Sequence, residues 1–146
     1  VTREDILVME PGRELDALVA ERVMGWTGIW TNGKSYMAYH PCEQEMSVGE
    51  AERSPIWPYS TDIASAWGVV EKMAARMNNY PVDGFKWSGP LYKPNTHYLT
   101  SEGYPLGTVC WYVLVQNDNI GRHIVCADTS PEAICKAALL ATLGGD

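Results

Sequence analysis

The stretch GIWTNGKSYMAYH, residues 28–40, decides the fold class. Asn32-Gly33 separates two runs of β-prone residues, and this dipeptide supplies the positive φ values a tight hairpin turn needs. The spacing predicts strands over 28–31 and 34–40. In the second strand Tyr36, Ala38 and His40 share one face, while Ser35, Met37 and Tyr39 share the other, so one face can be buried while the opposite one stays wet.

Toward the N-terminus, Thr2 and Asp5 cap a short turn over 3–9, and Pro11-Gly12 breaks it. Leu15, Leu18, Val19 and Val23 then recur at helical spacing, with charged residues on the other faces, until Gly25 ends the helix. Toward the C-terminus, residues 41–58 are acidic, carry three prolines and read as a loop. Ser60 or Thr61 caps a further helix, with Asp62 in its first turn. Its stripe is Ile63, Ala66, Trp67, Val70, Met73 and Met77, and this periodicity assigns Trp67 to the core.

Residues 78–107 carry five Tyr or Trp, Phe85 and four prolines, with no clean period. Within them 85–88 reads as a strand and the rest as a long ordered loop. Strands over 109–115 and 120–127 form a second hairpin through 116–119. Thr129-Ser130-Pro131-Glu132 opens the last helix. Ile134, Ala137, Ala138 and Ala141 give that helix a narrow stripe, widened by Cys135, Leu139 and Leu143. The order specifies an α+β fold: an antiparallel sheet built from two hairpins and packed by three amphipathic helices. One domain spans 1–146, with an irregular aromatic segment at about 78–108.

Three segments resemble the phage ABA sandwich domain family: TREDILVMEPGRELDALVAERVMGW (2–26), YSTDIASAWGVVEKM (59–73) and ADTSPEAICKAALLATLG (127–144). They cover about two fifths of the chain, and their order fits as well. The resemblance implies a small α/β sandwich and a phage or prophage origin. It implies no catalytic residues, and the aromatic middle over 78–107 is longer than the resemblance leads one to expect.

Composition narrows the function. The net charge of −7 disfavours a sequence-independent grip on nucleic acid, which needs clustered Lys and Arg. From 78 to 126, however, Lys86, Lys93 and Arg122 balance Asp83, Glu102 and Asp118, leaving a near-neutral zone beside an acidic scaffold. Cys42, Cys110, Cys126 and Cys135 show no C-x-x-C spacing. With no signal peptide or bilayer-length apolar run, they read as reduced thiols of a cytoplasmic protein without membrane contact. His40 and Cys42 form one loose pair with no second pair, so neither a metal nor a cofactor is expected. No G-x-S-x-G, P-loop, G-x-G-x-x-G or H-E-x-x-H motif is present, and Asp62 and Glu71 read as a cap-region acid and a solvated acid. An enzyme is not expected.

Fourteen of the fifteen aromatic residues are Trp or Tyr, which suits half-polar partners. The sequence therefore points to non-catalytic binding of a small nucleotide-like ligand. A homo-oligomeric phage protein that sequesters a nucleotide messenger of host defence, a cyclic ADP-ribose derivative or a cyclic dinucleotide, fits this reading. The candidate ligand-binding residues are Trp26, Trp30, Tyr36, Trp57, Trp87, Tyr92, Lys93, His97, Tyr98, Trp111, Arg122 and His123. Of the neighbours Arg122 and His123, at most one can face a given pocket. The alternative is a module that docks on a host or phage protein through an aromatic patch. A ligand pocket would be concave with a cation at its rim; a protein interface would be flat and exposed.

Overall fold

The first helix, α1 (Arg3–Val8), starts with the predicted capping box: Asp5 N–H donates to Thr2 Oγ1 at 3.2 Å, and Thr2 N–H to Asp5 Oδ2 at 2.8 Å. The computed structural model describes residues 1–41, 52–79, 86–94, 109–117 and 121–143. After Pro11-Gly12 comes α2 (Arg13–Val19), which runs on as a π turn (Ala20–Met24). Leu15, Val19 and Val23 are buried as their spacing predicts, and Gly25 closes the turn at φ +84°.

The hairpin forms β1 (Thr27–Thr31) and β2 (Tyr36–Tyr39). Asn32 Oδ1 accepts from the backbone N–H groups of Lys34 and Ser35, and Gly33 adopts φ +88°. A register irregularity between Thr27 and Trp30 places Gly28 at φ +63° against the Tyr39 ring, where a Cβ would come within 2.7 Å of it. Arg53 lies over the same ring at 4.9 Å and donates through Nε to Gly28 O.

Two elements go beyond what the sequence spelled out. Within the predicted loop over 41–58, β3 (Ser54–Pro55) pairs antiparallel with β2. A two-residue edge strand ending in proline carries no alternation to read, and an edge is where proline is tolerated. In the second case β4 (Lys86–Pro94) continues past the predicted 85–88, across Gly89-Pro90, where its register shifts. It pairs with β5 (Val109–Asn117), which in turn pairs with β6 (Gly121–Ala127). The strands thus make two antiparallel three-stranded sheets, β1-β2-β3 and β4-β5-β6, each built around one hairpin.

Helix α3 (Ile63–Asn79) is capped by Asp62, whose Oδ2 accepts from Ser65 N–H and Oγ–H, both at 2.9 Å. Ser60 and Thr61, the predicted caps, lie two residues and one residue too early. The buried stripe is Ala66, Val69 and Met73, rotated from the predicted one, so Ile63 and Trp67 are each 51% exposed. The smaller residues let α3 approach its neighbours, and Trp67 is not core.

The last helix, α4 (Ser130–Leu143), packs on β4, β5 and β6 and also meets α1, α2 and α3. Every residue from 130 to 142 is buried except the partly buried Glu132. This is more than the widened stripe the sequence suggested. The one cation inside it, Lys136, donates through Nζ to Glu132 Oε1 at 2.8 Å and to Leu7 O at 3.0 Å. Leu7 O is one of the carbonyls that the end of α1 leaves without a helical partner. Among the described residues no helix is long and apolar enough to cross a membrane.

Replacing Lys136 with Met keeps the aliphatic stem and removes both charge-assisted bonds. The expected cost is about 1.5–3 kcal/mol in urea unfolding, with faster amide exchange in α1 than in α2.

Candidate functional site

Two features stand next to the first hairpin. One is an aromatic cluster. Trp26 follows the α2 turn, His40 follows β2, Trp57 follows β3 and Tyr59 precedes α3. The Trp26 ring meets His40 edge-on at 4.7 Å and Trp57 at 6.0 Å; Trp57 lies tilted at 5.1 Å from His40 and 6.1 Å from Tyr59. Trp26 Nε1–H donates to the Tyr59 hydroxyl at 3.0 Å, and both residues are buried. Burial pushes the Tyr59 phenol up to about 12, against the Trp26 bond, which lowers it. Trp57 is 48% exposed, so this cluster meets solvent through Trp57 rather than through Trp26, which is 2% exposed.

The other feature is a cleft of about 550 Å³ between residues 9–14, the turn from α1 to α2, and residues 31–36, the hairpin tip. Small-ligand sites run about 300–1,000 Å³. Met9 and Pro11 give it an apolar wall, Tyr36 an aromatic one, and Arg13, Lys34, Glu10 and Glu14 its charges. Neither Arg13 nor Lys34 forms an ion pair among the described residues.

The wall at 9–14 is fixed from behind. Gly12 N–H donates to Ser60 Oγ at 2.9 Å, and Ser60 in turn donates through both N–H and Oγ–H to Asp16 Oδ1, each at 2.6 Å. Burial holds the Asp16 carboxyl above its ordinary value, and the two Ser60 bonds oppose that shift. Cys135, nearby in α4, has its thiol pushed up by burial first and by Asp16 and Glu132 second. Among the described residues no three His, Cys, Asp or Glu cluster as metal ligands would.

Among the described residues, the candidates from the first half of the sequence fall at several places. Tyr36 lines the cleft, Trp26 and Trp57 join the cluster, and Trp30 is 47% exposed on β1. His97 and Tyr98 lie outside the described residues. In the second sheet the register is informative. Tyr92, Trp111 and Ala127 form one cross-strand row, Trp87, Val115 and His123 another, and Lys86, Gln116 and Arg122 a third. Alternate rows belong to opposite faces. Arg122 and His123 are thus on opposite faces, as neighbours must be.

Sequence reasoning missed Arg13, Lys34, Glu10 and Glu14. The turn signals Pro11-Gly12 and Asn32-Gly33 mark both walls, but no local signal says that the two turns meet. His40 and Tyr59 were missed as ring partners for the same reason.

Residues 17–139 match the model of the Phage ABA sandwich domain. The chain belongs to this family. The matched span includes the hairpin wall of the cleft and leaves residues 9–14, the opposite wall, outside it. A phage protein from Bacillus cereus ATCC 14579, solved as a crystal structure at 2.0 Å, shares the fold of this ABA sandwich chain. The two superpose with a TM-score of 0.54 at 24% identity, covering 92% of this chain and 88% of that one. A search of the curated proteins finds no match.

Two predictions follow from this geometry. Trp26→Phe leaves the buried Tyr59 hydroxyl without its donor and should cost about 1–3 kcal/mol in chemical denaturation. Asp16 has a folded pKa above its unfolded value, so its contribution is most favourable below the unfolded value of 3.8 and is lost as pH rises through the folded one. Thermal melts of Asp16→Asn and the parent chain, compared at about pH 3 and about pH 7, should shift in favour of the variant at the higher pH.

Proposed function

We propose that this protein binds a small nucleotide-like ligand in the cleft between the α1–α2 turn and the hairpin tip, and holds it without turning it over. The observation that carries the reading is the joint lining of one concavity by Tyr36, Arg13 and Lys34. An aromatic face takes a flat base, and guanidinium and ammonium groups with no ion-pair partner among the described residues suit phosphate oxygens. For a phage-family protein, such binding accords with sequestration of a nucleotide messenger of host defence. A homo-oligomer that adds a second copy's surface to the site fits the same reading.

A second reading rests on Trp30, Trp57 and Trp67, each about half exposed. Exposed tryptophans are the residues that anchor protein interfaces, and here they would dock on a host or phage protein.

Native mass spectrometry of the protein with a panel of nucleotide messengers separates the two readings. Under the ligand reading an unmodified nucleotide is retained. Arg13→Ala, Lys34→Ala and Tyr36→Ala each weaken binding about tenfold or more, while Trp57→Ala and Trp67→Ala change little. Under the interface reading no nucleotide is retained and the Trp variants lose a protein partner.

A further inference from the structure

The charges of the cleft carry more than a preference for anions. Glu10 and Glu14 line the same concavity as Arg13 and Lys34, all four are exposed, and none is ion-paired with another among the described residues. A site for a bare polyphosphate would not place two carboxylates beside its cations, because each added phosphate charge meets them at close range. An ionised carboxylate only accepts hydrogen bonds, so it asks the ligand for donors. The charges come from both walls of the cleft. Glu10, Arg13 and Glu14 occupy the α1–α2 wall, whereas Lys34 comes from the hairpin tip, where Asn32 Oδ1 holds its backbone N–H at 2.8 Å. The net charge of the chain, −7, adds to the discrimination against strongly anionic ligands.

We propose that the cleft selects a ribose-bearing phosphoester of low net charge, with Glu10 and Glu14 accepting from sugar hydroxyls while Arg13 and Lys34 hold the phosphates. This rests on the ligand-binding reading above and narrows it to a chemical class. The hydroxyls of a sugar diol offer adjacent donors at the spacing a carboxylate can accept, the same logic by which an acidic residue binds ribose in dinucleotide folds. Tyr36 remains available to the base.

The test is isothermal titration of the intact chain and of a Glu10→Gln/Glu14→Gln double variant with ADP-ribose and with ATP. Both acids are exposed, so the exchange should leave the melting temperature unchanged, which a thermal melt checks. The expected result is that the parent chain binds ADP-ribose at least about tenfold more tightly than ATP. In the double variant ADP-ribose weakens, ATP strengthens, and the two affinities fall within about threefold of each other. ATP binding as tightly as ADP-ribose to the parent chain would overturn the proposed selectivity and leave the ligand-binding reading standing, as would a ratio that the double variant does not change. Failure of both nucleotides to bind the parent chain would overturn the two together.

Discussion

Burial of α4 on every side is the constraint on which the rest of the structure depends. A helix surrounded by a sheet and three other helices must present side chains small enough for all of them to approach. Ala133, Ala137, Ala138 and Ala141 meet that need, with Ile134, Leu139 and Leu140 filling the remaining space. The buried cation Lys136 is tolerated because Glu132 and the Leu7 carbonyl satisfy it. That bond has a consequence at a distance, since it ties the end of α1 to the centre of the molecule. The turn that follows α1 forms one wall of the cleft and is gripped a second time at Gly12 by Ser60 and Asp16. The proposed recognition surface is therefore an exposed turn whose backbone is anchored at both ends to buried groups, the kind of support a precise binding loop needs.

Much of this fold is legible locally. Thr2 and Asp5, Asn32-Gly33, and Thr129 with Pro131 mark element starts and turns by chemistry that acts within four residues, and the structure uses each of them. What the sequence hides is tertiary. Trp67 has the spacing of a core residue, but the faces α3 turns toward its neighbours are those of Ala66, Val69 and Met73, and periodicity alone cannot distinguish two apolar stripes a third of a turn apart. Ser60 has the chemistry of a cap and instead serves Asp16, a residue 44 positions earlier. Pro55 and Gly89-Pro90 look like breaks and lie in strands, one at a sheet edge and one at a register shift.

The same division applies to function. The excess of Trp and Tyr is plain in the sequence, but it serves several ends. Trp26 and Tyr59 spend their polar tips on each other inside the core, and Tyr39 packs over Gly28 under Arg53. Among the described residues, Tyr36 is the candidate aromatic that lines the cleft. The charged groups beside it come from the α1–α2 turn, the first residues of α2 and the hairpin tip, and only the folded chain brings residues 9–14 and 31–36 together.

The most direct measurement is an amide chemical-shift titration of the isotope-labelled protein with ADP-ribose. Binding in the cleft predicts dose-dependent shifts concentrated at Gly12, Arg13, Gly33 and Lys34, with the indole N–H of Trp67 unmoved. Shifts that centre on Trp30, Trp57 and Trp67 while the two turns stay silent, or no shifts at all, would contradict it.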